Sequence, residues 1–264
     1  MGRITLTYLQ KLKRNKEKIT CLTAYDATFA RLVEQAGTEI ILVGDSLGMV
    51  VQGQDTTLPV RLQDMLYHCQ MVHRGSERAF IIVDLPFMTY ATPEQTLESA
   101  ALLMREGQAQ MVKVEGGSWL TETVSLLVER GIPVCGHIGL TPQAVHKLGG
   151  YKVQGREISE AQRVRKEALD LENAGVSLIV LECVPKDLAR QISQELTIPT
   201  IGIGAGSYCD GQVLVLYDML GMFDKSPSFA KNFLQEANSI PEALAAYVQA
   251  VKSGEFPSVE HSFQ

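Results

Sequence analysis

Short apolar runs of strand type recur along the chain, each followed by a segment whose apolar residues return at helical spacing. Lys18 to Asp26 (KITCLTAYD), Glu39 to Asp45, Ala79 to Asp84 (AFIIVD), Gln110 to Glu115 (QMVKVE), Pro133 to Ile138, Ser177 to Val184 (SLIVLECV) and Thr200 to Gly204 read as strands, with Val213 to Asp218 as the eighth candidate. These runs are apolar almost throughout, as parallel strands buried on both faces must be. The intervening periodicity predicts helices over about 27–36, 62–74, 92–107, 120–130, 159–173 and 186–196, and a last one over 241–252. Thr92 is a candidate N-cap with Pro93 at the first helical position, and Gly37 and Gly131 are candidate stops. Residues 1–17 form a polar arm with room for one short helix. Two connections, 46–59 and 141–157, are long for the strand-to-helix type, and such loops are usually functional.

Strand and helix alternate about eight times within 264 residues. That favours an α/β fold of the (β/α)8 TIM-barrel type, as one domain over residues 1–264, above an open sheet. No linker or shift of composition divides the chain. The hydrophobic share is 45% and the charged share 20%, as in a soluble globular protein. A net charge of −6 gives no basic stripe for nucleic acid. There is no apolar run of about 18 residues to cross a membrane, and the basic, polar stretch Met1 to Lys18 lacks the apolar centre of a secretory leader. The five cysteines are scattered, odd in number and without a C-x-x-C pair. That pattern points to reduced thiols in a cytosolic protein rather than to disulfides or structural zinc.

Barrel enzymes assemble their sites from the C-terminal ends of different strands. The polar residues at those ends are Tyr25 and Asp26, Asp45 and Ser46, Asp84, Lys113 and Glu115, His137, Glu182 and Asp218. Carboxylates crowded on adjacent strand ends repel one another unless a cation or a shared proton compensates. Oxygen ligands without partner His or Cys suit a hard cation such as Mg2+. An aspartate at a strand end is often only an N-cap or Asx turn, and Asp26 and Asp218 are assigned to that structural class. Lys113 and Glu115 are two apart and share one strand face. They are either a buried ion pair or a device for steadying an anionic substrate. Glu182, enclosed by Leu-Ile-Val-Leu and Cys-Val, is either a general base or the inward partner of a cation. His137 is either a hydrogen-bonded barrel residue or a catalytic one. The glycines of IGIGAG (201–206) either cradle a phosphate or allow close backbone approach.

The strings LVGDSLGMVVQG, DLPFMTYATPEQ, VKVEGG, PVCGHIGLTPQ, GGYKVQGR, SLIVLECVP, IPTIGIGAG, CDGQVLV and EHSF closely resemble the ketopantoate hydroxymethyltransferases, from about residue 3 to the end of the chain. The resemblance implies transfer of a one-carbon unit from 5,10-methylenetetrahydrofolate to 3-methyl-2-oxobutanoate, the step that opens the pantothenate pathway. It also implies Mg2+ as cofactor, a barrel of the phosphoenolpyruvate/pyruvate-binding type, a cytoplasmic location and a homo-oligomer, usually a decamer, working on small molecules. Residue by residue, the family's metal ligands fall on Asp45, Asp84 and Glu115. Its 2-oxoacid contacts fall on Asp45, Ser46, Asp84 and Lys113, and its proton acceptor on Glu182. His137 stands behind that set as a supporting candidate. The rivals are another Mg2+-dependent 2-oxoacid lyase or mutase of the same barrel type, and a barrel without catalysis. The Lys-Lys-Cys-Gly-His type string of such lyases is absent from the sequence.

Overall fold

The computed structural model describes residues 2–264; Met1 of the N-terminal arm lies outside them. Eight parallel strands close into a barrel in sequence order: β1 (Ile19–Thr23), β2 (Ile40–Val43), β3 (Phe80–Asp84), β4 (Met111–Glu115), β5 (Val134–Gly139), β6 (Leu178–Glu182), β7 (Thr200–Ile203) and β8 (Gly211–Leu214). Closure is made where β8 pairs with β1, with Ile19 opposite Gly211 and Leu22 opposite Leu214. Alternation along each strand separates two cores. Ile81, Val83, Val112, Val114, Ile179 and Leu181 point outward to the helices. Ile40, Leu42, Phe80, Ile82, Met111, Cys135, Leu178 and Val180 fill the lumen. Both faces are thus apolar, which is why the strands read as unbroken hydrophobic runs.

The arm supplies one helix, Leu6–Arg14, whose Leu9 and Leu12 join the lumen core from below. It plugs the N-terminal mouth and leaves only the opposite mouth open. The Lys13 ammonium anchors it to Asp210, 2.8 Å away. The outer helices start where their capping chemistry dictates. Asp26 Oδ1 accepts the amides of Thr28 and Phe29, capping the helix Ala27–Gln35. Thr92 Oγ1 accepts the amide of Gln95 ahead of Pro93–Arg105.

The regular alternation breaks at the end of the chain. Residues 204–210 join β7 to β8 as a loop in place of a helix. Four-residue strands leave little height to climb, and Gly204 and Gly206, at φ +61° and +79°, turn the chain back at once. A Cβ at Gly204 would press on the rings of Phe229 and Phe263, and one at Gly206 on Lys186. The IGIGAG glycines therefore serve close packing. The short return also moves β8: it begins at Gly211 and ends at Leu214, and not at Val213 and Asp218 as the pattern predicts. Asp218 sits instead in a helical turn, Leu216–Met219, whose first amide donates to Thr23 Oγ1. All five cysteines are buried and free.

Candidate active site

The open mouth leads into a cavity of about 830 Å3. Leu42, Val180, Ile203 and Val213 form part of its lining, with Asp45, Ser46, Asp84, Lys113, Glu115, His137 and Glu182 as a polar tier. Strand register explains why these side chains meet. Asp84 lies opposite Lys113, Glu115 opposite His137, and Gly139 opposite Glu182. Residues two apart return to the lumen, so Met111, Lys113 and Glu115 climb one side and Leu178, Val180 and Glu182 another. Gly139 has φ +91°, and a Cβ there would come within 2.3 Å of the Glu182 carbonyl oxygen. Glycine at that place lets β5 close on the strand end carrying Glu182.

Lys113 is the hub. Its Nζ is 3.0 Å from Asp84 Oδ1, 3.1 Å from His137 Nδ1 and 4.0 Å from Glu115 Oε1. The other Asp84 oxygen, Oδ2, accepts the Asp45 amide at 3.0 Å. His137 bridges two carboxylates, with Nδ1 3.4 Å from Glu115 Oε1 and Nε2 3.0 Å from Glu182 Oε2. The Nε2 contact has ion-pair distance but lacks hydrogen-bond alignment, and so does the Lys113 contact at Asp84 Oδ1. On the other side of the mouth, Ser46 Oγ is 2.8 Å from the Tyr25 hydroxyl.

Burial, with Asp84 and Glu115 close by, pushes the Asp45 carboxyl well above the usual carboxylate range. Burial also raises Asp84, against the pull of Lys113 and the Asp45 amide. Burial would raise Glu115 too, but His137, Lys113 and the Gln143 amide outweigh it and hold it low. Burial and then Lys113 depress His137, yet Glu115 and Glu182 together bring it up to about 9. A histidine raised from 6.5 adds stability that is fully present below pH 6.5 and lost as pH climbs through 9. Asp45, raised as a carboxylic acid, works in the same direction. In EDTA, urea unfolding should therefore show stability falling by about 3 kcal/mol between pH 6.5 and 9. His137→Gln should flatten that slope; an unchanged slope would remove His137 as its source.

Every residue expected at the site lines this one cavity, and so does Asp218, whose carboxyl burial pushes up to about 6. Asp26 stays outside as a cap. Sequence reasoning passed over Gln143 and Tyr90. Gln143 Nε2 donates to Asp45 Oδ2 at 2.8 Å, and the Gln143 amide donates to Glu115 Oε2 at 2.9 Å. Tyr90 donates its hydroxyl to Gln143 Oε1. The available signal was position: Gln143 follows β5 directly, in a loop on the open side of the barrel.

Among the described residues, no three His, Cys, Asp or Glu side chains converge at metal-ligand spacing. The donor chemistry nevertheless suits a hard divalent cation. Asp84 Oδ1 is a buried oxygen without an aligned hydrogen bond. Asp45, Asp84, Glu115 and Glu182 formally carry four negative charges against the two positive charges of Lys113 and a protonated His137. A divalent ion balances that surplus, and oxygen donors are what Mg2+ takes.

The profile of the family described as Ketopantoate hydroxymethyltransferase matches residues 3–259. A 3-methyl-2-oxobutanoate hydroxymethyltransferase from Nitrosococcus oceani is 60% identical over 264 residues, covering 100% of both chains. Among solved structures, phosphoenolpyruvate phosphomutase from Streptomyces platensis subsp. rosaceus superposes with a TM-score of 0.62 at 12% identity, covering 83% of each chain. Phosphonopyruvate hydrolase, solved with oxalate and Mg++, gives 0.61 at 12% identity over 97% of this chain and 92% of that one. At such identity these two share the fold alone. The match over nearly the whole length, at an identity this high, settles the family: the chain is a member of the ketopantoate hydroxymethyltransferases.

Proposed function

We propose that the protein converts 3-methyl-2-oxobutanoate, 5,10-methylenetetrahydrofolate and water into 2-dehydropantoate and tetrahydrofolate. The observation that carries this reading is the placement of Glu182 in the same lumen tier as Lys113 and the carboxylates of β2 to β4, next to His137. In this reading Asp45, Asp84 and Glu115 would hold Mg2+, which would supply a Lewis acid for the keto oxygen. Ser46, steadied by Tyr25, orients the substrate carboxylate. The apolar side chains of Leu42, Val180 and Val213 receive its branched alkyl arm. Glu182 takes the proton from C3, a hindered carbon that demands close placement of the base. The Lys113 ammonium stabilises the negative charge that then develops on the substrate oxygen. Water releases the methylene carbon from N5 and N10 of the folate at the formaldehyde level, leaving tetrahydrofolate. C3 bonds to that carbon as its C=O bond opens to an alkoxide, and the proton held by Glu182 goes to the alkoxide. His137, touching both Glu115 and Glu182, keeps the base and the carboxylate cluster in one array. Assembly into a homodecamer and a cytoplasmic location belong to the same proposal. Among the described residues, no helix is long and apolar enough to cross a membrane.

The test separates enolisation from the folate step. In D2O, the enzyme with Mg2+ and no folate should exchange the C3 proton of 3-methyl-2-oxobutanoate, followed by proton NMR, and EDTA should stop it. Cleavage of a 2-hydroxy dicarboxylate without folate, in place of exchange, would assign the site to the lyases. The cavity far exceeds one small oxo acid, and its outer wall includes Met49, Val50, Tyr151 and Phe223. Tyr151 is half exposed and reaches Met49 across the mouth, its hydroxyl 3.6 Å from the sulfur. These loops are the proposed seat of the folate. Tyr151→Ala should raise the KM for 5,10-methylenetetrahydrofolate about tenfold, as loss of a stacking aromatic does, and leave C3 exchange within twofold. Equal effects on both would move the folate elsewhere.

A further inference from the structure

We propose that Gln143, held in place by Tyr90, is a positioning residue that sets the Asp45 and Glu115 carboxylates for the divalent ion; this rests on the metal reading above. Gln143 is 6% exposed and lies in the helical turn Pro142–Ala144 just after β5. From there it touches groups that follow or end three other strands. Its Nε2 donates to Asp45 Oδ2 at 2.8 Å and to the Leu85 carbonyl at 3.0 Å. Its backbone amide donates to Glu115 Oε2 at 2.9 Å. Its Oε1 accepts the Tyr90 hydroxyl, which also lies 3.2 Å from the Glu115 carbonyl.

Both amide protons and the amide oxygen are thus engaged, and this fixes the orientation of the side chain. Turning the amide over would set its oxygen against a carboxylate and a carbonyl and lose both of those bonds. The residue type also matters. A neutral amide orders two buried carboxylates without cancelling either charge. A lysine there would halve the surplus that a divalent ion answers, and a glutamate would enlarge it and remove the donor. Tyr90 is braced in turn by Trp119, whose ring stacks on it with centroids 6.3 Å apart and planes at 16°. Trp119 is the single tryptophan of the chain and, though 65% exposed, stacks on Tyr90, so its fluorescence is a second readout beside calorimetry.

The test titrates MgCl2 in the presence of 3-methyl-2-oxobutanoate, read by calorimetry and by Trp119 fluorescence, on the unmutated protein, Gln143→Met and Tyr90→Phe. Gln143→Met should raise the half-saturating Mg2+ concentration about tenfold, the loss expected for a hydrogen bond to a charged group. Tyr90→Phe, which leaves both carboxylate contacts in place but frees the amide, should raise it about threefold. The KM for the oxo acid should rise with it, while kcat at saturating Mg2+ falls by less than about threefold. The upward shift of melting temperature caused by Mg2+ should shrink in the same order. If Gln143→Met does not fold, Tyr90→Phe decides alone. Lowered melting temperatures with Mg2+ half-saturation unchanged within twofold would make the pair merely structural and overturn the inference, though not the function. An unmutated protein that binds no Mg2+ would overturn both.

Discussion

Glu182→Gln is expected to lower C3-proton exchange of 3-methyl-2-oxobutanoate by about 1000-fold or more, toward the upper range of what a positioned general base contributes. The substitution is close to isosteric; it removes the negative charge and with it the ability to take up a proton. Glu182 is the last residue of β6, and its backbone is locked on both sides. Its carbonyl accepts the Leu140 amide, and the next residue, Cys183, stands at φ +47° with its own amide bonded to the Ile203 carbonyl. A non-glycine residue in that region is strained by on the order of 1 kcal/mol. The bend it makes turns the chain away directly after the base. A side-chain amide in place of the Glu182 carboxylate loses the ion pair with His137 Nε2, 3.0 Å away, so His137 should titrate lower, but Glu115 still holds the other ring nitrogen and the array should stay folded. Mg2+ should still bind through Asp45, Asp84 and Glu115, weakened only modestly by the smaller surplus of negative charge and far less than exchange is. Exchange within tenfold of normal would strip Glu182 of its role and leave His137 and Asp218 as the groups to examine.

The parts of the fold legible in the sequence are those whose physics is local. Lys113 and Glu115 could be set on one face from their spacing alone, and the strands between outer helices and lumen announced themselves by being apolar on both sides. β8 was misplaced because its boundary depends on the missing helix between β7 and β8, and on Gly211 docking between Ile19 and Ile201, which no local pattern encodes. His137 could not be assigned because its meaning lies in register: only the pairing of Glu115 with His137, and the return of β6 beside it, puts Nδ1 and Nε2 between two carboxylates. Gln143 and Tyr90 were silent for a further reason. An amide and a phenol in loops carry no charge to single them out, and their contacts exist only once both loops have folded over the strand ends. What the sequence pattern ranked best was the charged inner tier; what it ranked worst was the neutral scaffold that orders it.

Lys113→Met is expected to destabilise the metal-free protein by about 3–5 kcal/mol, the usual result of removing one partner from a buried ion pair. Methionine keeps most of the stem, which packs in a lumen next to Cys135 and above Met111, so the change isolates the ammonium. Asp84, Glu115 and Asp45 together hold Lys113 well above the ordinary lysine value despite burial, so its charge persists at any working pH. Without it, Asp84 loses the cation 3.0 Å away and its carboxyl must rise further. The sign of the pH effect follows. A carboxyl whose folded value is raised destabilises the fold progressively as pH climbs toward that value, so the loss should be larger at about pH 8.5 than at about pH 5.5. Urea unfolding in EDTA at those two values measures it. Saturating Mg2+ should recover part of the loss, because a divalent ion answers the same surplus of charge. C3 exchange should not recover with it and should stay about 100-fold down, since in the proposed mechanism the ammonium also stabilises the oxygen on which charge develops. A stability loss equal at both pH values and untouched by Mg2+ would mean that Lys113 contributes packing rather than charge, and the charge-balance argument for the cation would fall with it.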